Sequence, residues 1–519
     1  MHLHKFFSIL IFDMGSLKQT SVAPEVIEGP SGRSRVLNEV NLRRGADFVL
    51  YWMTAHRRPN WNHALDYAAT LARELNLPLL VLEGLRSDYR HASRRHHSFI
   101  LDGMASNARA FEGSAVHYAP FLETEEREGS GLLEALAQQA ACVVADEHPG
   151  FFYPKMLAAA AARCPAQLIA VDSCGLLPLH VSERRFQRAF DLRRYIQREL
   201  PKHLSSLPAA KPNLFGLSEL DPSHVSALER TSPTRAALQE DRTELLARLP
   251  IDQEVLETEK RGGHEAARAL LEEFLDDVLD QYGGDRNHPD SGATSGLSPY
   301  LHYGHLSAYE VFAGVTSRAG WSPDKLSERA DGRREGWWGL SSGAEAFLDQ
   351  LITWRELGLQ RTCKLGRAER FDDLPDWAKQ TLALHRADER PHLYSLEDFD
   401  GARTHDELWN AAQRQLRVEG TIHNYLRMLW GKKILHWSES PEEAFRIMLH
   451  LNDKYALDGR DPNSMSGILW VLGLHDRAWG PERPVFGKVR YMTSDSTRRK
   501  LRLKAYLERW SETPALPWD

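Results

Sequence analysis

Residues 451–463 of this chain read LNDKYALDGRDPN, and three related blocks surround them: WNAAQ at 409–413, RMLW at 427–430 and GLHDRAW at 473–479. Five tryptophans lie between residues 404 and 479, among several arginines, aspartates and asparagines. A buried tryptophan needs a partner for its N–H group, and a buried arginine needs a carboxylate. A helical core has no need of this mixture, so the stretch indicates a function beyond packing.

Trp430 and Trp437 are seven residues apart and share one face of a predicted helix. Aromatic residues at such spacing are most often core. Here, however, Arg427 lies one turn before Trp430 on the same segment. Candidate carboxylates for this arginine follow in the chain: Asp453, Asp458 and Asp461.

The order and spacing of these blocks resemble the flavin-binding half of the photolyase/cryptochrome family, and within it the class II cyclobutane pyrimidine dimer photolyases. Further matching blocks are YWM at 51–53, LSPYLHYG at 297–304, KKILHW at 432–437 and PVFGKVRYM at 484–492. The resemblance covers residues 46–510. It implies a deoxyribodipyrimidine photolyase, a light-dependent lyase of DNA repair that binds FAD. Blue light would drive electron transfer from the reduced flavin to a flipped-out pyrimidine dimer.

Two other functions stay open, because one scaffold can host several activities. One is a cryptochrome-like blue-light photoreceptor, or a class II offshoot with an altered substrate, which would keep the flavin and the tryptophans without dimer repair. The other is a light-independent redox flavoprotein, which ranks last because it gives the tryptophans no task.

The residues themselves predict an α/β sheet domain followed by an all-α domain. With 519 residues, 42% of them apolar, the chain is long enough for more than one core. Five apolar runs alternate with amphipathic helical patterns and predict a doubly wound, parallel, five-stranded sheet. The runs are Phe48 to Met53, Leu79 to Leu85, Ala115 to Phe121, Ala141 to Ala145 and Gln167 to Asp172. Strongly periodic helical faces follow, as at Ala266 to Leu279 and Ala344 to Leu359.

These patterns divide the chain into five parts. We expect a disordered tail at 1–45, the α/β domain at 46–175, a long linker at 176–255, the helical FAD-binding domain at 256–510 and a second tail at 511–519. The first strand is not followed by a GxGxxG motif or a P-loop, so a dinucleotide in the sheet domain is not expected. The resemblance implies an antenna chromophore there, an 8-hydroxydeazaflavin or a folate, but no residue set decides whether it is bound.

The resemblance assigns the cofactor-binding residues. A loop of small hydroxyl residues and glycine, typical of anion-binding loops though not specific to them, would hold the flavin diphosphate together with Tyr282. Asn452 would face the flavin N5 atom, and Arg427 with Asp458 would form an ion pair beside the ring. The full set is Tyr282, Thr294, Ser295, Gly296, Leu297, Ser298, Arg427, Asn452, Asp458 and Asp461.

Electron transfer and substrate contact fall to a second set. Trp409, Trp430 and Trp437 match a chain of tryptophans that carries an electron from the surface to the flavin. Beside the lesion would lie Gln350, Trp354, Met428 and Trp470, with the two tryptophans as apolar walls. Three residues depart from the family pattern on the predicted substrate side. They are Gln350 in place of a glutamate, Glu310 in place of an arginine and Thr421 in place of a lysine.

A predicted DNA-binding surface comprises Arg477, Trp479, Lys488 and Arg490. These residues lie at or just before the start of a basic stretch that runs from Pro481 to Trp510. The net charge of −7 argues against indiscriminate nucleic-acid binding. The resemblance implies DNA containing pyrimidine dimers as the partner. Four cysteines without metal-binding spacing predict neither a zinc site nor a disulfide framework and fit a reducing, cytoplasmic location. We expect a monomer without a metal or a membrane-spanning segment.

Overall fold

A six-stranded sheet forms the first part of the molecule in the computed structural model, which describes residues 28–511. Its spatial order is β1-β6-β5-β2-β3-β4. The strands are β1 (Ser34–Val36), β2 (Phe48–Met53), β3 (Leu79–Leu85), β4 (His117–Leu122), β5 (Ala140–Glu147) and β6 (Gln167–Asp172). Strands β2 to β6 are parallel, and β1 pairs antiparallel with β6.

Helices cover both faces of this sheet, as the apolar runs predicted. They are α1 (His63–Leu75), α2 (Arg94–Phe111), α3 (Leu132–Ala137) and α4 (Tyr153–Ala161). Alternate residues of β2 enter two different cores: Val49 and Tyr51 pack with α1, whereas Phe48 and Leu50 pack with α3 and α4. Strands buried on both faces carry continuous apolar runs, which explains why their sequences gave such a clear signal.

The predicted number of five strands was wrong by one. Strand β1 lies within residues 1–45, which were predicted to be a disordered tail; residues 1–27 of that range lie outside the described part. In β1, Val36 pairs with Ile169 of β6 at the edge of the sheet. A three-residue edge strand is too short to show the alternation on which strand prediction depends.

Short helices connect the sheet to a helical region. They are α5 (Ala189–Glu199), α6 (Ser232–Ala237) and α7 (Arg242–Ala247). From residue 256 to residue 511 the structure contains helices and loops, with a single isolated bridge between Arg483 and Gly487 in place of any strand. The helices are α8 (His264–Glu273), α9 (Tyr282–Asp285), α10 (Ser298–His302), α11 (Ala308–Arg318), α12 (Ser342–Leu348), α13 (Arg355–Leu365), α14 (Asp376–Leu384), α15 (Leu396–Asp400), α16 (Glu407–Glu419), α17 (Asn424–Trp437), α18 (Pro441–Tyr455), α19 (Pro462–Val471), α20 (Ser494–Lys500) and α21 (Lys504–Trp510).

A π-helical turn interrupts one of the predicted helices. The periodic segment from Ala344 to Leu359 is α12, then a π-helix at Asp349–Trp354, then α13. A second π-helix at Phe274–Val278 follows α8. Such wider turns shift the side chains that follow relative to those before them and are frequent at functional sites.

Capping residues fix the ends of the helices that carry the tryptophan-rich stretch. The side chain of Asp406 accepts a hydrogen bond from Trp409 N at the start of α16, and that of Ser440 accepts one from Glu443 N at the start of α18. Asp461 does the same for Asn463 N before α19, whose first residue is proline. Each of these caps contributes about 1 kcal/mol and sets where its helix begins.

Two arginines join the sheet domain to the helical region. Arg95 of α2 donates to Tyr455 O at 2.8 Å, and Arg460 donates to the Tyr303 hydroxyl at 2.6 Å and contacts His96 Nδ1 at 3.0 Å. Arg95 and Arg460 are both buried. Buried guanidinium groups of this kind fix how the two parts fit together, since moving either part would leave a buried charge without its hydrogen bonds. No helix among the described residues is long and apolar enough to cross a membrane.

Candidate active site

A cleft of about 630 Å³ opens between helices of the second part. Its walls come from the π-helical turn at 349–354 and from α17, α18 and α19. An adjoining compartment of about 200 Å³ shares several wall residues with it. The shared residues are Gln350, Trp354, Asn424, Arg427, Gly467, Trp470 and His475. The two compartments together therefore form one site.

The predicted ion pair between Arg427 and Asp458 lies at the boundary of the two compartments. Arg427 Nη2 is 3.0 Å from Asp458 Oδ1 and 3.4 Å from Oδ2. The Ser298 hydroxyl donates to Asp458 Oδ2 at 2.8 Å, which connects the start of α10 to the pair. The pair thus holds a positive charge on the wall of the cleft, with its carboxylate fixed from a second side.

Asn452 also lies on the wall of the cleft and is 4% exposed. Its amide nitrogen donates to Asp453 Oδ1 at 3.0 Å and to the Ser464 hydroxyl at 2.9 Å. Both hydrogens of the amide are used within the protein, so its orientation is fixed. The amide is rigid enough to recognise a ring placed in the cleft.

Asp461 lies in the smaller compartment as well as capping α19. Its Oδ2 atom is 3.3 Å from His302 Nδ1. Burial alone would raise the pKa of Asp461, but the hydrogen bond and charge of His302 lower it to about 2. The carboxylate is therefore ionised at neutral pH, and its contacts are with the protein itself.

The predicted phosphate-binding residues are less closely grouped. Of the loop at 294–298, Ser298 lines the smaller compartment, while Thr294 is exposed and Leu297 is buried in the core. The ring of Tyr282 packs between Phe274 and Phe347 and contributes no surface to either compartment as described. Its neighbours Gly283, Gly284, Arg286 and Asn287 line the larger one instead.

Trp354 and Trp470 were predicted as apolar walls, and in the structure they form one wall. Their rings are stacked, with centroids 4.7 Å apart and planes 16° from parallel. A base cannot enter between rings at this separation. A flat ligand would instead lie against the exposed face of the stack, so the two residues act as a single aromatic surface. Met428 adds a further apolar contact to the same cleft.

Gln350 and Asp349 are adjacent on the π-helical turn but have different partners. Gln350 lines both compartments. Asp349 is buried and forms two hydrogen bonds with Arg193, at 2.7 and 3.0 Å. Because its carboxylate is held by Arg193, Asp349 cannot take the place of the glutamate that Gln350 replaces.

The other two departures from the family pattern do not belong to the cleft. Glu310, on helix α11, is hydrogen-bonded to His264 at 2.9 Å, and neither Glu310 nor Thr421 is among the described residues that line the cleft. The three departures are therefore not grouped around the cleft, and their position relative to bound DNA stays a prediction. Only the replacement at Gln350 changes the chemistry of the cleft wall.

The three predicted tryptophans form a series that begins at the cleft. Trp430 lines the cleft, and its indole N–H donates to Gln413 Oε1 at 2.9 Å. The indole N–H of Trp409 donates to the backbone oxygen of Trp430 at 3.0 Å. The Trp409 ring then lies edge-on to that of Trp437, with centroids 6.1 Å apart. The order from the cleft outward is thus Trp430, Trp409, Trp437.

The outer end of this series is shielded by polar aromatic side chains. Trp437 is only 1% exposed, and its ring lies 5.7 Å from that of Tyr394 and 5.0 Å from that of His405. The Tyr394 hydroxyl is 2.7 Å from His405 Nδ1, and Lys433 Nζ lies 5.0 Å from the Trp437 ring centre. A cation so close disfavours a positive charge on this ring, while the tyrosine and histidine offer a route outward.

The predicted DNA-binding residues come together beside the cleft. Trp479 is 37% exposed and lies between the guanidinium groups of Arg477 and Arg490, at 4.8 and 5.5 Å from its ring centre. Arg490 also lines the cleft. Lys488 accepts a hydrogen bond from Trp479 N at its backbone oxygen and pairs with Glu482. An aromatic ring between two cations suits a nucleic-acid strand.

Sequence reasoning missed His475, although it quoted the block GLHDRAW that contains it. His475 lines both compartments, and its Nδ1–H donates to Gln187 O at 2.7 Å. Burial lowers the pKa of His475 to about 4, so the ring is neutral and its Nε2 accepts from the Ser466 hydroxyl at 2.8 Å. Arg286, four residues after Tyr282, was also missed; its spacing on the helix face was the available signal.

The architecture is that of solved photolyases. A bacterial class III photolyase from Agrobacterium tumefaciens matches with a TM-score of 0.60 over 90% of this chain and 86% of that one, at 16% identity. At such low identity the match concerns the fold alone. No family model matches the chain.

Proteins with similar sequences identify the family to which this chain belongs. The chain is 34% identical over 480 residues to the deoxyribodipyrimidine photo-lyase of Methanothermobacter thermautotrophicus, covering 92% of this chain and 97% of the relative. It is 31% identical over 488 residues to the enzyme of the same name from Potorous tridactylus, covering 92% and 84%. This chain belongs to the deoxyribodipyrimidine photo-lyase family of enzymes.

Proposed function

We propose that this protein is an FAD-dependent, blue-light-driven repair enzyme of the class II type that splits cyclobutane pyrimidine dimers in DNA. The observation that carries the proposal is the tryptophan series. It starts at the same cleft that contains the Arg427–Asp458 ion pair and the aromatic stack. An aromatic path from a cofactor-sized cleft toward the outside serves electron transfer and has no purpose in a purely structural core.

The residues of the cleft fit FAD. A volume of about 630 Å³ lies within the range of roughly 300–1,000 Å³ typical of such pockets. Arg427 would stabilise negative charge on the flavin ring, and the fixed amide of Asn452 would face a ring nitrogen. When bound and reduced, FAD supplies the electron that breaks the dimer under blue light.

The tryptophans keep the cofactor reduced. With FAD bound in the cleft as the electron acceptor, Trp430 would be the first donor, Trp409 would re-reduce Trp430, and Trp437 would re-reduce Trp409. The step between Trp409 and Trp430 crosses a hydrogen bond from an indole N–H to a backbone oxygen, and the step between Trp437 and Trp409 crosses a contact between their rings. The order rests on these contacts, since Trp409 lies on α16 while the other two lie on α17.

The DNA contacts follow from the aromatic and basic residues at the cleft. The flipped dimer lies against the stack of Trp354 and Trp470, with Met428 as a further apolar contact. Gln350 can donate to and accept from the pyrimidine amides. Arg477, Trp479, Lys488 and Arg490 hold the surrounding strand, where two cations flank an exposed ring.

A second candidate function is a blue-light photoreceptor, or an enzyme with an altered substrate, that retains the flavin and the tryptophan series. One observation favours it: Gln350 lines the cleft where the family resemblance implies a glutamate, and the carboxylate of the neighbouring Asp349 is already bound by Arg193. A neutral amide stabilises developing charge less than a carboxyl group does. Under either function we expect a monomer in a reducing, cytoplasmic location; whether the sheet domain binds an antenna deazaflavin or folate stays open.

The deciding experiment is a repair assay. Purified, photoreduced protein is mixed with an oligonucleotide that contains one cyclobutane thymine dimer, and restored thymine is measured under blue light and in darkness. Light-dependent repair supports the first function. Absence of repair by protein with normal FAD content would favour the second.

A further inference from the structure

A second cleft, of about 440 Å³, lies where the sheet domain meets helix α13. The end of β5, helix α4, residues 179–180 and the C-terminal part of α13 form its walls. Much of the lining is apolar, from Leu157, Ala161 and Leu179 among others. Three chemically reactive groups lie in the same lining: Glu147, His180 and Cys363.

These three groups are connected in a row. His180 Nε2 is 2.9 Å from Glu147 Oε1, and His180 Nδ1 is 3.8 Å from Cys363 Sγ. A carboxylate that orients an imidazole, which in turn contacts a thiol, is the arrangement of an activated nucleophile. The flavin site uses none of these residues.

The charges of the row are consistent with this role. Hydrogen bonds to Cys363 and to Glu147 raise the pKa of His180 to about 10, so the ring carries a proton at neutral pH. Burial alone would raise the pKa of Glu147, but the hydrogen bonds from His180 and Arg35 lower it. The protonated imidazole lies 3.8 Å from the Cys363 sulfur, where it can give a proton to the thiolate that leaves when a disulfide is attacked.

Two residues of the lining carry a buried oxygen that has no hydrogen-bond partner. They are Glu147, through Oε2, and Thr362, through its hydroxyl; the residues are 6% and 2% exposed. Buried polar atoms are normally satisfied, so a bound molecule with N–H groups is expected to supply the missing donors. Arg35, half exposed at the same cleft, would attract a carboxylate.

The other three cysteines show why Cys363 differs. Cys142, Cys164 and Cys174 are each at most 5% exposed, and burial raises the pKa of each thiol. Cys174 even has an imidazole at the same distance, with His56 Nε2 3.8 Å from its sulfur. Cys363 is partly exposed and faces an open cleft. Cys363 therefore differs from the other three cysteines in combining a neighbouring histidine with exposure to a cleft.

We propose that Cys363 is a reactive thiol that forms a mixed disulfide with the disulfide of an amino-acid thiol, such as glutathione disulfide, bound in this cleft. The Cys363 sulfur attacks one sulfur of the small disulfide. The new sulfur–sulfur bond forms as the old one breaks. Cys363 gives its proton to solvent, the released thiolate takes one from the His180 imidazolium, and the imidazole regains a proton from solvent. The small disulfide is the oxidant. One half stays bound to Cys363 and the other half leaves as free thiol, so no other reactant is required.

The test uses the full-length protein with its cofactor, incubated in darkness with glutathione disulfide at several pH values. Intact mass and peptide mass spectrometry measure the adduct. We expect one adduct, on Cys363, and none in Cys363→Ser. In His180→Gln the rate at pH 7 falls by about a hundredfold and its pH profile changes. An adduct on another cysteine, or an unchanged rate and profile in His180→Gln, would overturn the proposal.

Two controls separate binding from simple thiol exposure. Cys164→Ser removes a buried cysteine and should leave the adduct and its rate unchanged. Hydroxyethyl disulfide lacks both N–H groups and carboxylates, so it should react with the unmodified protein more slowly than glutathione disulfide does. Equal rates for the two disulfides would show that the cleft does not recognise its ligand and would refute the binding part of the proposal.

Discussion

The indole N–H of Trp409 donates a hydrogen bond to the backbone oxygen of Trp430 at 3.0 Å, although the two residues lie on different helices. Trp409 also contacts the ring of Trp437, so it is the middle member of the series. Trp430 and Trp437, which share α17, are connected through it. Helical spacing alone suggested that Trp430 and Trp437 are direct neighbours in the series. The contacts of Trp409 with both place it between them.

Replacing Trp409 by phenylalanine should therefore interrupt light-driven flavin reduction, since the middle contact of the series is lost. The measurement is the absorbance of bound flavin under blue light with an external reductant. Because Trp409 is fully buried, the loss of its hydrogen bond and ring volume should also cost about 1–3 kcal/mol of stability. FAD content and thermal midpoint are measured on the same sample to separate the effects.

Trp479→Phe is the matched control, because Trp479 lies on the surface beside the cleft and outside the series. It should photoreduce at the normal rate. If Trp409→Phe kept its FAD and reduced it as fast as the unmodified protein, the proposed path would be refuted.

The sheet was predictable because strands that are buried on both faces have continuous apolar sequences. The bounds of β2, β3 and β6 follow from sequence without error, and those of β4 and β5 within two residues. Strand β1 could not be predicted, since its three residues are held by pairing with β6 and carry no pattern of their own. The π-helical turn at 349–354 was also invisible, because π and α turns use the same residues.

The site was predictable where a chemical requirement forced a partner. A partly buried Arg427 needed a carboxylate, and Asp458 supplies it. Glu310 shows the opposite case: its alignment with a substrate-side arginine did not reveal that α11 turns it toward His264. Local spacing tells which residues share a helix face, but not what that face meets.

Gln350→Glu should increase repair if the proposed dimer chemistry is correct. A protonated carboxyl group can donate a hydrogen bond to a lesion oxygen that gains negative charge, and a gain of about 1 kcal/mol corresponds to roughly a fivefold higher rate. Repair per absorbed photon is measured on a dimer-containing oligonucleotide. The gain should be lost as the pH rises through the pKa of the new carboxyl group, because the carboxylate accepts hydrogen bonds but cannot donate one.

Gln350→Leu is the companion variant, which removes the amide at similar volume and should lower repair. Should all three proteins show the same low or absent repair with normal FAD content, the lesion would not be the substrate of this cleft.

Arg427→Ala should weaken FAD binding. It removes a cation from the cleft wall and leaves Asp458 with Ser298 as its remaining partner, which would place a carboxylate beside the flavin. We expect a loss of about 1–2 kcal/mol, or five- to thirtyfold in Kd. Quenching of flavin fluorescence during titration of the apoprotein gives the affinity. Arg427→Lys keeps the charge and should lose less; an equal loss in both variants would mean that geometry, not charge, is decisive.

Glu356 should make stability depend on pH. The residue is buried at the junction of α13 with the sheet domain, where it accepts hydrogen bonds from Leu176 N and Leu177 N. Burial raises the pKa of Glu356 from 4.5 to about 7. The folded state therefore holds this proton more tightly than the unfolded state, and the stability contribution present below pH 4.5 is lost as the pH rises toward 7.

Glu356→Gln keeps an acceptor oxygen but cannot ionise. Thermal midpoints of the variant and the unmodified protein should be similar at pH 5. At pH 8 the variant should be the more stable, by up to about 3 kcal/mol. A difference that does not change between these two pH values would show that Glu356 does not titrate in this range.

Arg490 and Trp479 should contribute to DNA binding in different ways, although they are in contact. Arg490→Ala removes a charge, so affinity should fall equally for damaged and undamaged DNA. The slope of log affinity against log salt concentration should also decrease, by the amount that about one phosphate contact contributes. Trp479→Ala removes a stacking surface worth about 1–3 kcal/mol, which should matter mainly for dimer-containing DNA, where unpaired bases are exposed. Fluorescence anisotropy at several salt concentrations measures both effects.

Lys504, 90% exposed in α21, lies in the same basic stretch and provides the matched control. If Lys504→Ala weakened binding as much as Arg490→Ala, the basic stretch as a whole, rather than the edge of the cleft, would be the DNA-binding surface.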